Sequence, residues 1–222
     1  MQSPGQGGAM GLPLFERGEF DWESKIVLPS WIGYRSCGGA YGAHDSDVPS
    51  DGWVRVCATP LDVGLPVGQE QLAACQYLLE NDAAVHEAIV AAILEAYPEL
   101  FDTFGEDAEE HGIRLPEHMT REELKQHIGI AYIHLHPVEK EGVGYVGVEL
   151  GCSWDDEHGL GLMLHRTEVV DIGGADTSIL EWIAERHRDG VPLDAPPAHE
   201  ARLETRQEAA PATLKRWWQF WR

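Results

Sequence analysis

The feature that most limits what this chain can fold into is the run from Ile130 to Ile172, where four apolar stretches are separated only by short polar segments. Ile130 to Pro137, Gly142 to Cys152, Leu160 to His165 and Glu168 to Ile172 each have the length and residue types of a strand. The first two are joined around Glu139-Lys140-Glu141-Gly142, and the whole reads as an antiparallel meander. The residues upstream are helical in pattern. Gln69 to Glu80 places Leu72, Cys75, Leu78 and Leu79 at helical spacing, Asn81-Asp82 offers a cap, and Val85, Ile89, Ile93 and Tyr97 continue on one face until Pro98. The expected fold is therefore α+β, an antiparallel β-meander with a helical hairpin packed on one face.

Trp22 to Leu28 and the alternating Trp53 to Ala58 add two strands, with Trp31 to Asp51 between them as a long loop. Phe101 to Glu117 is acidic and reads as irregular. Thr120-Arg121-Glu122-Glu123 matches a capping box for a short helix ending near Gly129. Asp176 is placed to cap a closing helix through Ile179, Leu180, Trp182 and Ile183, and Pro192 to Pro197 ends the domain. The expected organisation is a flexible lead (1–13), the α+β domain (14–190), a linker (191–211) and an amphipathic tail (212–222).

Charge narrows the function. The chain has 38 Asp and Glu against 16 Lys and Arg, a net of −22. Such a surface repels phosphate backbones, which argues against nucleic acid, and steers toward a basic protein partner. Residues 195–222 reverse the sign. There Leu214, Trp217, Trp218 and Trp221 fall at i, i+3, i+4 and i+7, with Lys215, Arg216, Gln219 and Arg222 on the other side. A helix with this pattern suits an anionic membrane surface, a partner's apolar groove, or the chain's own acidic body.

Cys37, Cys57, Cys75 and Cys152 form no C-x-x-C pair, so buried reduced thiols are expected rather than a zinc or redox site. With no secretory signal and no apolar run of membrane-spanning length, the expected location is cytoplasmic. No nucleophile elbow, P-loop or G-x-G-x-x-G fingerprint occurs, and no cofactor is expected.

Two groups of residues have chemistry to offer. In the loop Trp154 to Gly161, Asp155, Asp156, Glu157 and His158 bring three carboxylates and an imidazole together. They suit a turn held by Asp and Gly159, a protein-binding surface, or part of a metal site. His134 and His136 lie at i, i+2 and share a strand face, with His134 placed roughly opposite Val146 and His165 two strands away. Gly142, Gly144 and Gly147 point to a bulge or close packing rather than to phosphate contact.

The stretch Cys152-x-Trp154-Asp155-x-Glu157-His158-Gly159-Leu160-Gly161, followed by His165 and Val169-Val170-x-Ile172-Gly173-Gly174-Ala175-Asp176, resembles the C-terminal signature of a bacterial domain family of unknown function. Gln69-x-x-Leu72-Ala73-x-x-x-Tyr77-Leu78-Leu79-x-Asn81 fits the same pattern more loosely. Members resemble immunity-type proteins of polymorphic toxin systems. That resemblance implies a non-enzymatic inhibitor whose acidic surface covers a basic toxin. The contacts expected are Asp155, Asp156, Glu157 and His158, the run Glu106, Asp107, Glu109 and Glu110, and also Asp45 and Asp47. The alternatives are a metal-dependent hydrolase using His134, His136, Asp155, Glu157, His158 and His165, and a peripheral membrane adaptor held by the Trp-rich tail.

Overall fold

The computed structural model describes residues 11–19, 21–37, 44–46, 48–60, 62, 65–110, 112–155 and 158–194. Strands β1 (Glu16–Arg17), β2 (Trp22–Val27), β5 (Trp53–Ala58), β6 (Ile128–Lys140), β7 (Val143–Cys152), β8 (Leu160–His165) and β9 (Glu168–Gly173) form one sheet in the order β1-β2-β5-β6-β7-β8-β9. The meander is present as β6 to β9. One pair, β5 with β6, is parallel. The chain between these strands is long enough for the crossover that a parallel pair requires, and it contains α1 (Gln69–Glu80), α2 (Asp82–Glu110) and α3 (Arg121–Leu124).

One face of the sheet is covered by helices, and the second is covered only over β6 to β9, leaving Lys25 and Arg55 exposed. On the first, Ile133, Leu135, Val146, Val148, Leu150, Leu160, Leu162 and Leu164 pack with Ala74, Cys75 and Leu78 of α1 and Val85, Ile89 and Ile93 of α2. Gln71, 1 % exposed, ties α1 down by donating to the carbonyls of Leu135 and Thr59. On the second face, Val138, Tyr145 and Met163 pack with Ile183 and Ala184 of α4 (Glu181–Asp189). A 3-10 turn, Ala175–Ser178, lies flat on this face. It fits because β7 and β8 present glycines: a Cβ on Gly147 would stand 1.7 Å from the Ser178 carbonyl oxygen, and one on Gly161 2.4 Å from that of Gly174. Every residue of β8 is buried, which is why Leu160 to His165 reads as a nearly unbroken apolar run.

Several local expectations change. The segment 101–110 is not irregular: α2 runs straight through Pro98 to Glu110. Proline removes one ladder bond and crowds the preceding turn, but tertiary packing outweighs that loss. Tyr97 is buried and donates to the Pro116 carbonyl, its ring meets Trp154 edge-on at 6.2 Å, and Leu100, Phe104 and Ala108 join the main core.

The loop 31–51 holds a small ribbon, β3 (Ser36–Cys37) with β4 (His44–Ser46), preceded by a 3-10 turn at Pro29–Trp31. Asp176 does not cap the closing helix. It sits inside the 3-10 turn, and α4 starts five residues later behind Leu180. His134 stands opposite Gly147 rather than Val146. Both expected caps form, but α3 ends at Leu124 rather than near Gly129, because β6 begins at Ile128. Asn81 closes α1 through bonds to the Tyr77 carbonyl, and the Thr120 hydroxyl accepts from the Glu123 amide while the Glu123 carboxylate accepts from that of Thr120. Residues 1–10 of the lead, most of the linker and the whole tail with Leu214, Trp217, Trp218 and Trp221 lie outside the described residues. Among the described residues no helix is long and apolar enough to cross a membrane.

Candidate functional site

The loop after β7 is built from the inside outward. Trp154 is buried, and the Ser153 amide bonds the His127 carbonyl while its hydroxyl meets His127 Nδ1 at 2.7 Å. Asp155 then acts as the turn's clamp. Its Oδ1 accepts from the His158 amide at 3.0 Å and lies 3.0 Å from His158 Nδ1, and its carbonyl receives the amide of Gly159, which has a positive φ of 63°. An aspartate that closes a turn on its own backbone is a structural device. The Asp155 side chain is 12 % exposed and that of His158 is 71 % exposed, so of this pair the imidazole is the one that faces solvent. The His158 carbonyl accepts from the Ala175 amide, which fastens the loop to the 3-10 turn. Asp156 and Glu157 lie outside the described residues.

The histidines do not converge. His134 and His136 share a strand face as expected, but each ring turns to a different partner. His134 Nε2 meets Glu149 Oε2 at 2.9 Å, His136 Nε2 meets the Ser178 carbonyl at 2.8 Å, and His165 Nε2 meets the Lys140 carbonyl at 2.9 Å. His158 is engaged with Asp155 in its own loop. Among the described residues no group of three His, Cys, Asp or Glu side chains is arranged to hold a metal ion.

One constellation was not anticipated. Arg55, Tyr132 and Glu149 lie in register across β5, β6 and β7, with Cys57 opposite His134 in the next row of the same face. Arg55 Nη1 donates to the Tyr132 hydroxyl at 2.5 Å, and the Tyr132 ring stacks near His134. A thiol, an imidazole and a carboxylate on three adjacent strands have the residue types of a nucleophilic triad. The chemistry does not follow. Burial, and then the carboxylates of Asp21, Glu23 and Glu149, push the Cys57 thiol up to about 12, so it stays protonated at neutral pH and is a poor nucleophile. The alternating pattern of Trp53 to Ala58 was the available signal, but the parallel pairing that brings Cys57 to His134 spans more than seventy residues of sequence. The thiols of Cys75 and Cys152 are likewise pushed up to about 12 by burial, and none of the four cysteines forms a disulfide.

The acidic run expected at Glu106–Glu110 lies on the last turns of α2. This helix has nine acids (Asp82, Glu87, Glu95, Glu99, Asp102, Glu106, Asp107, Glu109 and Glu110) and neither Lys nor Arg. Glu95, Glu99, Asp102 and Glu109 are exposed, and their spacing of four, three and seven residues puts them on one face. Glu87 is held by both guanidinium nitrogens of Arg121. Beside the stripe an open cleft of about 390 Å³ is lined by Phe101, Asp102, Gly105, Glu109, Arg114 and Leu115. The side chains of Glu106 and Asp107, and those of Asp45 and Asp47, lie outside what is described.

Comparison with known proteins finds no matching curated protein and no matching solved structure. A family model described as Domain of unknown function (DUF6985) matches residues 54–180, from the fifth strand through the 3-10 turn on the second face. That span covers more than half of the chain, and this protein belongs to the DUF6985 family.

Proposed function

We propose that this protein is a binding domain, not an enzyme, and that α2 presents its acids to a basic protein partner. The finer reading is an immunity-type inhibitor that covers the cationic active site of a toxin. One observation carries the proposal: the placement of acids on α2 works against the helix. Carboxylates at a helix C-terminus oppose the macrodipole, and like charges three and four residues apart repel. Glu109 and Glu110 occupy the last turn, where no basic residue balances them. Solubility alone would be served by acids anywhere on the surface. A stripe of them along one helix face, beside a cleft with the Phe101 ring in its lining, suits a partner's Lys or Arg side chains.

The test is binding of the purified chain to the basic proteins encoded beside its gene, followed as association rate against salt. The expected result is capture of one of them at a rate that falls roughly tenfold or more between about 50 and 500 mM salt. Reversing the stripe with Glu95→Lys, Glu99→Lys and Asp102→Lys should slow capture similarly at low salt. Binding that responds neither to salt nor to the reversal would overturn the proposal, as would no binding at all.

A further inference from the structure

The second face of the sheet gathers histidines at one seam. His136 of β6 and His165 of β8 are each 5 % exposed. His187 reaches down from α4, its ring 6.5 Å from that of His165, and Tyr145 of β7 lies against both at 4.9 and 5.7 Å. Across this seam the cover, formed by the 3-10 turn and α4, meets the sheet.

The hydrogen bonds fix the protonation of these rings. A carbonyl oxygen only accepts, so His136 donates its Nε2 proton to Ser178 and His165 donates its own to Lys140. Each ring is only 5 % exposed, so a second proton on either would place a charge where water reaches it poorly. His187 Nδ1 faces the Tyr145 hydroxyl at 2.8 Å, and its Nε2 lies 3.3 Å from Glu168. Tyr145 is fully buried, and burial pushes its pKa up to about 12, so its hydroxyl keeps a proton that needs an acceptor. His187 Nδ1 is the group placed to accept it, which ties α4 to β7.

We infer that the cover is a latch released by acid: protonation of His136 and His165 charges one buried seam, and residues 175–189 lift from the sheet while β5 to β8 remain paired. Lifting would expose Val138, Tyr145 and Met163, with the backbones of Gly147 and Gly161, as a surface that is closed at neutral pH.

The surrounding charges favour this direction. Lys140 and Arg166 face His165, Arg188 faces Tyr145, and His134 faces His136. Opposing them, Glu168 accepts from His187, and Glu139 and Asp189 lie near Tyr145. Glu168 is 61 % exposed, so water screens much of its attraction. Burial lowers His136 to about 4 and also lowers His165. Both are therefore held below the ordinary imidazole range in the closed form. The open form binds more protons as pH falls, and acid shifts the balance toward it.

Hydrogen exchange of the full chain, compared at about pH 7.5 and about pH 5 after correction for intrinsic rates, tests the latch. The expected result is a roughly tenfold or greater loss of protection in 175–189 at the lower pH, with β6 and β7 unchanged. The double variant His136→Gln/His165→Gln keeps an amide donor at each position and cannot take a charge, so its cover should stay protected. If that variant does not fold at neutral pH, the single variant His165→Gln replaces it and should need a lower pH to open. Equal protection at both pH values would overturn the latch. So would loss of protection across sheet and cover together, or a folded variant that opens like the wild type.

Discussion

At the scale of single residues, the glycines and the capping threonine determine more than the charged side chains do. Gly147 and Gly161 let a backbone turn lie directly on the sheet, and a methyl group at either has no room. Gly147→Ala should destabilise by about 1–3 kcal/mol, the usual cost of overpacking a tight contact, measured as a shift in urea midpoint at constant m-value. A midpoint equal to the wild type would mean that the turn yields without strain. Thr120→Ala removes the cap of α3 and should cost about 1 kcal/mol in the same measurement.

Single residues also differ in how much of their role is visible in sequence. The capping box at Thr120 and the cap at Asn81 are local patterns, and local patterns survive folding. The close packing of Gly147 could be expected, but not its partner, because Ser178 is brought there by the whole β8–β9 hairpin. The loop 155–159 shows the converse. Asp155 and His158 look like chemistry in sequence and are engaged as a turn in the fold, because an aspartate at the start of a turn satisfies nearby backbone groups first.

At the scale of elements, strands were legible wherever one face was apolar. The bounds of β5, α1 and β8 coincide with those read from periodicity. The failures share one cause. Proline at position 98 suggested a stop, yet buried Tyr97 and Ala108, with half-buried Phe104, hold the helix through it. Long-range packing outweighs a local rule, and it leaves no local trace.

This makes Pro98 a sensitive position. It is exposed, and Pro98→Ala restores a helix bond without disturbing the core. The variant should gain about 1–3 kcal/mol in urea unfolding. A loss of stability would indicate that α2 needs a kink to fit the sheet. Glu109→Lys and Glu110→Lys, placed in the last turn, should raise Tm by roughly 1–3 °C each, because they complement the helix dipole. Calorimetry at low salt is the appropriate reading, since salt screens the effect.

At the scale of the whole molecule, charge is the dominant property. A net of −22 on a 222-residue chain destabilises the compact state by self-repulsion, so Tm should rise as salt is added from about 20 to 300 mM. A fall in Tm over that range would mean that attractive pairs such as Arg121–Glu87 outweigh the repulsion. Composition alone shows the excess of acid. It does not show that the acid is concentrated along one helix, because half of that helix does not read as a helix.

The central claim is that α2 gives up stability to present acids to a basic partner. The most direct test is to measure Tm and association rate on one variant, Glu99→Lys/Asp102→Lys/Glu109→Lys, beside the wild type. The account predicts a higher Tm together with capture of the basic partner slowed by roughly tenfold or more. An association rate equal to that of the wild type would contradict it, whatever the Tm.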